Sequence, residues 1–251
     1  MSNIPPRWKH VWITGASSGL GEFTARILAE KGCHVSISAR SEDKLNAIAA
    51  THENITAHVA DVTDDERLKE VVAEIEGRYG PIDLCVFSAG AWFQSSITEM
   101  NIGNFQKTVD VNFMGVVKCI DAVLPQMLER QSGHISWISS VAGYGGLPNA
   151  ASYGATKAAL IHMAETVKPE LEKENITVSV INPGFVRTAL TDKNDFPMPF
   201  LMEPEDAAKK IVSGLEAQKF EVAFPWQMVW ILKFLNHLPY WLYFKLIKRL
   251  V

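Results

Sequence analysis

Short apolar runs alternate with longer stretches of helical periodicity along this chain, and that alternation leaves few folds open. Residues 10–13, 35–39, 55–59, 82–88, 135–139, 176–181 and 221–224 read as strands, most of them rich in β-branched residues, as buried strands are. Between them 22–31, 42–51, 64–79, 105–130, 152–174 and 203–217 repeat apolar residues at helical intervals. Strands separated by helices build a parallel sheet with right-handed crossovers, and such sheets bind ligands at the carboxyl ends of their strands. The expectation is a single α/β domain with a doubly wound parallel sheet. At 251 residues and 47% hydrophobic, the chain has the apolar material for one such core.

The first strand runs into Thr14-Gly15-Ala16-Ser17-Ser18-Gly19-Leu20-Gly21, and the helix after it stops at Gly32. Glycines here let the backbone come close to a pyrophosphate while the helix N–H groups point at it. Their spacing is G-x-x-x-G-x-G, not the commoner G-x-G-x-x-G, and a tight strand-to-helix turn can need glycines for packing alone. The second strand ends at Ala39-Arg40, where an acid would hold the ribose hydroxyls of NAD. A small residue followed by arginine suits the 2′-phosphate of NADP instead; the plain alternative is a solvated loop arginine. The reading is NADP(H) by preference, with NAD(H) as the alternative. Asp61-Val62 closes the third strand, where Asp61 either contacts adenine or caps the helix that begins near Asp64.

Tyr153 and Lys157 stand four residues apart in a helical stretch, so both project from one face. A free phenol titrates near 10, and bringing it to about 7 takes roughly 4 kcal/mol. A desolvated ammonium one turn away supplies much of that, so Lys157 is expected to lower Tyr153. Ser140, at the end of GHISWISS, can hold a carbonyl oxygen beside the phenol. Asn112 is an amide among Val111, Phe113 and Met114, a setting in which an amide is often only a backbone cap. Taken alone, these residues also fit helix surface and strand cap.

In this order the pieces resemble the short-chain dehydrogenase/reductase family from Val11 to about Phe224. The 14–21 loop, with Ser17, Ser18 and Leu20, looks like its cofactor loop. Asp61-Val62 is similar to its adenine contact, Ala89-Gly90 to the end of its N-N-A-G turn, and Pro183-Gly184 to its motif after strand six. Asn112, Ser140, Tyr153 and Lys157 match its catalytic tetrad. The resemblance implies a Rossmann fold in which Tyr153 exchanges a proton with the substrate oxygen while a hydride moves to or from a nicotinamide. It further implies that Ser140 orients that oxygen and that Lys157 binds the nicotinamide ribose and lowers the phenol. Asn112 would hold a water linking Lys157 to solvent, Thr188 would touch the carboxamide, and Ser88 and Val186 would join the cofactor set. One departure stands out: Phe87-Ser88-Ala89-Gly90 replaces Asn-Asn-Ala-Gly, which removes the usual asparagine contacts across the sheet more than it touches catalysis.

Pro169 should kink or break the 152–174 helix, and Pro204 suits the first turn of the next one. Residues 184–202, ending in Phe196-Pro197-Met198-Pro199-Phe200-Leu201-Met202, are too long for a plain connector and resemble a substrate lid. With Trp92, Phe93, Tyr144 and Phe185 they point to a bulky, lipid-like or steroid-like carbonyl or alcohol substrate. The division is 1–224 for the dehydrogenase domain and 225–251 for an apolar, aromatic helical extension. Pro225 and Pro239 cut that extension into two pieces, each too short to cross a bilayer. Lys245, Lys248 and Arg249 form one stripe beside Trp241, Leu242, Tyr243, Phe244 and Ile247. This pattern fits peripheral membrane association through 226–251, an oligomer contact or a cap over the site.

A net charge of -4 gives no bulk attraction for nucleic acid. The three cysteines, Cys33, Cys85 and Cys119, have neither a disulfide framework nor a metal-ligand spacing. The N-terminal stretch has no long apolar region before a cleavage site. These features fit a cytoplasmic homodimer or homotetramer without a metal. Two rival functions remain beside the oxidoreductase: a dehydratase or epimerase on the same scaffold, and a non-catalytic nucleotide-sensing module.

Overall fold

The computed structural model describes residues 6–93, 97–192 and 196–248. Within them β1 (His10–Thr14), β2 (His34–Ala39), β3 (Ile55–Val59), β4 (Leu84–Phe87), β5 (Gly133–Ile138), β6 (Ile176–Pro183) and β7 (Glu221–Phe224) form one parallel sheet in the order β3-β2-β1-β4-β5-β6-β7. Successive connections step outward from β1 to β3, then restart on its other side at β4. The carboxyl ends of β1 and β4 therefore open a crevice where the direction of winding reverses.

The period of two along each strand sorts side chains into two cores. On one face Val11, Ile13, Leu84 and Val86 pack with Leu28 of α1 (Gly19–Glu30), Leu45 of α2 (Glu42–Ala49) and Ile211 of α7 (Pro204–Glu216). On the other, Trp12, Cys85, Phe87 and Trp137 pack with Val71 of α3 (Asp65–Tyr79), Val123 of α5 (Gly115–Arg130) and Leu160 of α6 (Ala151–Glu172). All three cysteines are free and buried.

The expected helix over 105–130 begins earlier and is not uniform: α4 (Ile102–Val109) passes through a π turn at Asp110–Met114 into α5. Ile102–Arg130 is long enough to cross a membrane and contains an 18-residue stretch of mean hydropathy 1.3, yet Val116, Cys119, Val123 and Met127 are packed into the core beneath the sheet. Of the kink or break expected at Pro169, the break does not occur, since α6 continues to Glu172. The proline lies in the exposed last turn, and the carbonyl it deprives of a donor, that of Glu165, belongs to a residue that faces water. Strand β6 also runs further than 176–181, pairing Asn182 and Pro183 with Ala223 and Phe224.

Pro204 starts α7 as expected. Pro225 and Pro239 precede α8 (Trp226–Asn236) and α9 (Tyr240–Ile247). Arg249, assigned from sequence to the cationic stripe, lies outside the described residues, as do 193–195 of the lid loop.

Candidate active site

At the crevice the chain needs glycine for steric reasons. Gly15 has φ +67°, and a Cβ there would collide with the backbone nitrogen of Ala89. Gly21 is different: its Cβ would come within 2.7 Å of the Gly15 carbonyl oxygen, so it lets α1 pack onto the turn and does not line the groove. The packing alternative weighed for these glycines therefore holds for both, since each clash is with the protein's own backbone, and only Gly15 also lines the groove.

A groove of about 410 Å³ crosses the strand tips, from Arg40 and Asp61 beyond β2 and β3 to Ser140, Tyr153, Lys157 and Pro183 beyond β5 and β6. It takes in all the expected cofactor residues except Gly21: Gly15, Ser17, Ser18, Gly19, Leu20, Arg40, Asp61, Val62, Ser88, Ala89, Gly90, Gly184, Val186 and Thr188 line it with those already named. Ser41, Ala60, Val111, Leu190 and Thr191 line it too and carry no motif that would have announced them. The Arg40 side chain is 77% exposed, with Nη1 4.0 Å from Asp61 Oδ2. Asp61 accepts from the backbone N–H and the hydroxyl of Thr63, each at 2.9 Å. Asp64, not Asp61, caps α3, accepting from the Arg67 N–H at 3.1 Å.

Where the related turn carries its first asparagine, Phe87 is buried edge-on against Trp12, with ring centroids 5.6 Å apart. Ser88 keeps the turn in register by donating its N–H to the Thr14 carbonyl at 3.1 Å.

Ser140 leaves β5 in extended backbone; its hydroxyl donates to the Pro183 carbonyl at 3.3 Å and accepts from the Ala142 N–H at 3.1 Å. Tyr153 sits in the first turn of α6, and Lys157, one turn on, donates to the Ile138 carbonyl at 2.8 Å. The lysine Nζ lies 5.4 Å from the centre of the tyrosine ring.

Asn112 is fully buried behind this group. In the π turn its Oδ1 accepts from the Ala91 N–H at 2.7 Å, and its Nδ2 donates to the Ala91 carbonyl at 3.0 Å and to Thr156 Oγ1 at 3.3 Å. One amide thus ties the chain after β4 to the helix carrying Tyr153 and Lys157. It does not line the groove.

The expected lowering of Tyr153 is not what these side chains produce. Burial pushes the phenol up, against a smaller downward pull from Ser140, and burial brings Lys157 down to about 7. A lysine held near neutrality offers its neighbour little positive charge, so desolvation wins at both groups.

Ser140 and Tyr153 also border a second cavity of about 930 Å³ with a largely apolar lining. The Trp92 ring meets Tyr153 edge-on at 5.1 Å. Phe185, Phe196, Pro197, Pro199 and Phe200 line the cavity as expected, whereas Phe93, Tyr144, Met198, Leu201 and Met202 do not. Met202 instead pairs with Val186 at the base of the loop. Tyr144 is drawn away because its hydroxyl donates to Glu221 Oε1 at 2.6 Å. That carboxylate also accepts from Asn182 Nδ2 at 2.9 Å and pairs with Lys233 of α8. Burial pushes the Glu221 carboxyl up, but the bonds from Lys233, Tyr144 and Asn182 outweigh it and hold it below its ordinary value.

Met228, Ile231, Leu232 and Leu235 of α8 close one side of the cavity. Their spacing, i, i+3, i+4 and i+7, is the signal by which sequence reasoning could have assigned them individually. Of the three roles considered for the tail, a cap over the site is the one α8 fills.

Residues 9–197 match a family model described as short chain dehydrogenase. An uncharacterized oxidoreductase of Myxococcus xanthus is 37% identical over 220 residues, spanning 86% of this chain and 87% of that one. One of Staphylococcus saprophyticus is 34% identical over 209 residues, spanning 81% and 89%. Among solved structures, a short-chain dehydrogenase from Streptomyces avermitilis superimposes with a TM-score of 0.80 at 29% identity, covering 89% of this chain and 91% of that one. ElxO with NADP bound gives 0.77 at 28% identity, covering 86% and 97%.

Proposed function

Since the chain belongs to the short-chain dehydrogenase family, we propose that it is an NADP(H)-dependent oxidoreductase that interconverts a bulky apolar ketone and its secondary alcohol. The observation that carries this reading is the position of Ser140 and Tyr153, two hydroxyl-bearing residues that line both the glycine-walled groove and the apolar cavity. A proton donor at the junction of a nucleotide-sized groove and an apolar chamber suits exchange of a proton and a hydride with a carbonyl.

The groove fits a dinucleotide, since Gly15 and Gly19, both at positive φ, line it without a side chain and the N-terminus of α1, beginning at Gly19, presents its free N–H groups there. Ser17, Ser18, Gly19 and Leu20 would hold the pyrophosphate, Asp61 and Val62 the adenine, Lys157 a ribose and Thr188 the carboxamide. When bound, the reduced nicotinamide supplies the hydride. Arg40 supports the 2′-phosphate assignment, being a largely exposed guanidinium at the tip of β2 with no acid taking its place. A related fold holding NADP agrees with it.

The remaining steps belong to the chain's own groups. Ser140 orients the carbonyl oxygen by hydrogen bond, and Tyr153 delivers the proton as that oxygen becomes an alkoxide. Burial favours the neutral phenol, the form that donates the proton when the carbonyl is reduced. Asn112 acts through Ala91 and Thr156, keeping the loop after β4 fixed against α6.

Titrating tryptophan fluorescence with NADPH and NADH, then following NADPH consumption over a panel of apolar ketones, tests the reading. Tyr153→Phe should lower turnover by roughly 10²–10⁴-fold with cofactor affinity preserved. Arg40→Asp should weaken NADPH by about tenfold to a hundredfold more than NADH, as loss of a hydrogen bond to a charged group predicts. Full activity of the first variant would refute the mechanism, and equal losses for the two nucleotides would refute the 2′-phosphate assignment.

A further inference from the structure

The outer surface of the C-terminal helices has a composition that water does not explain. On α8, Trp226, Trp230 and Phe234 recur every four residues at 67%, 70% and 64% exposure. On α9, Tyr240, Trp241 and Phe244 are 78%, 71% and 53% exposed, with Lys245 and Lys248 also exposed beside them. The opposite sides are occupied as well. Met228, Leu232 and Leu235 face the substrate cavity, while Tyr243 and Ile247 seat α9 on the protein, the Tyr243 hydroxyl donating to the Gly146 carbonyl. A helix that is apolar all round is stable where apolar matter lies on both sides of it.

From these observations we infer that the outer face of α8 and α9 docks on an anionic phospholipid bilayer, and that the substrate is a membrane-dissolved ketone reaching the cavity past α8. The second half of this inference rests on the reductase reading; the first does not.

Charge selects the bilayer over a second copy of the chain. From 225 to 251 the sequence carries Lys233, Lys245, Lys248 and Arg249 and no Asp or Glu, although the whole chain is net -4. Lys233 is paired with Glu221, but a twofold contact sets a patch against itself, so the exposed Lys245 and Lys248 would meet a face that carries no acid of its own. An anionic surface complements the same lysines, and Trp and Tyr suit its interfacial layer. The helices, of 11 and 8 residues, are too short to span and would lie in the plane of the interface. Because α8 carries the aromatic face on one side and a cavity wall on the other, docking sets the chamber beside the acyl layer in which an apolar ketone dissolves.

Sedimentation with vesicles of phosphatidylcholine and phosphatidylglycerol in equal parts, against pure phosphatidylcholine, tests the surface without any turnover. The protein should pellet with the anionic vesicles, bind the neutral ones far less and be released by salt. Lys245→Glu/Lys248→Glu should weaken anionic binding by about twentyfold or more, and Trp230→Glu/Trp241→Glu should also leave the protein in the supernatant. Both variants should keep NADPH affinity, since none of these four residues lines the groove, and this shows them folded.

With a long-chain ketone carried in anionic vesicles, the wild type should outpace the lysine variant, while in detergent micelles the two should match. Failure to pellet with anionic vesicles would overturn the proposal, as would equal pelleting of the lysine variant. Loss of a dimer in both variants with vesicle binding unchanged would assign the face to a second copy instead. Vesicle binding without NADPH-dependent turnover of any ketone would sink the reductase reading and the ketone half of the inference while leaving the docking surface standing.

Discussion

Lys157 brings three N–H donors into a buried site where a single hydrogen bond, to the Ile138 carbonyl, is described for it, and that shortage of partners lets burial bring it down to about 7. The consequence for folding has a definite sign. Between about 7 and the ordinary lysine value of 10.5, the unfolded chain keeps this lysine protonated while the folded chain has released the proton. The unfolded state binds more protons, so the lysine's contribution to stability rises with pH, by up to ~1.4 kcal/mol per pH unit. Urea unfolding of Lys157→Met and wild type at steps across that window checks this: the variant's lead should shrink as pH climbs, and a constant gap would mean that the lysine stays charged. The i, i+4 spacing of Tyr153 and Lys157 was legible in the sequence because it is local. The direction of their shifts was not, since desolvation is imposed by residues remote in sequence, such as Trp92 against the Tyr153 ring. The engagement of Asn112 with Ala91 and Thr156 was hidden for the same reason: its aim is set by a π turn that an apolar pattern does not announce.

Helix α8 is held by one half-buried carboxylate that gathers three parts of the substrate side: Tyr144 after the Ser140 turn, Asn182 at the end of β6, and Lys233. Cutting the ion pair should loosen the cavity wall without touching the reacting groups. Lys233→Met is expected to raise KM for a bulky ketone by about fivefold, the effect of roughly 1 kcal/mol for a partly exposed pair, with kcat nearly unchanged; Lys233→Arg should restore most of it. A fall in kcat at constant KM would instead give the pair a role in the chemistry. The Glu221 carboxyl is held below its ordinary value, so the clamp is complete above the carboxylate range and is lost as pH falls through its folded value. Wild-type KM should therefore rise in acid, and the Lys233→Met variant should show less of that rise. At this scale the sequence revealed strands, helices and the proline boundaries of the tail, because these follow from periodicity. Periodicity alone did not show that α6 runs unbroken past Pro169, whose cost is small where the orphaned carbonyl meets water, and the row of Met228, Ile231, Leu232 and Leu235 went unread because the opposite face of α8 is apolar too.

Across the whole molecule, the groove is built from residues up to Thr191, whereas four residues lining the apolar cavity come from α8. A chain ending at Phe224 should therefore still bind NADPH but lose most of its activity on bulky apolar ketones, with small ketones less affected; paired fluorescence titration and NADPH consumption would measure both. Loss of nucleotide binding along with activity would mean that the tail supports the sheet itself. The alternation of runs revealed the sheet, and the glycine turn located its crevice, yet the cavity was only partly legible because it is assembled from segments more than a hundred residues apart, Trp92 and Leu235 among them. The strand order adds a historical consequence. On the proposed reading, nucleotide choice falls at the tips of β2 and β3, while the α8 wall of the apolar cavity lies at the opposite flank, packed against β7. Descendants of such a gene can diverge at one flank while inheriting the other intact, and a hybrid joined after Phe224 would keep one parent's nucleotide groove while exchanging the α8 wall of its cavity.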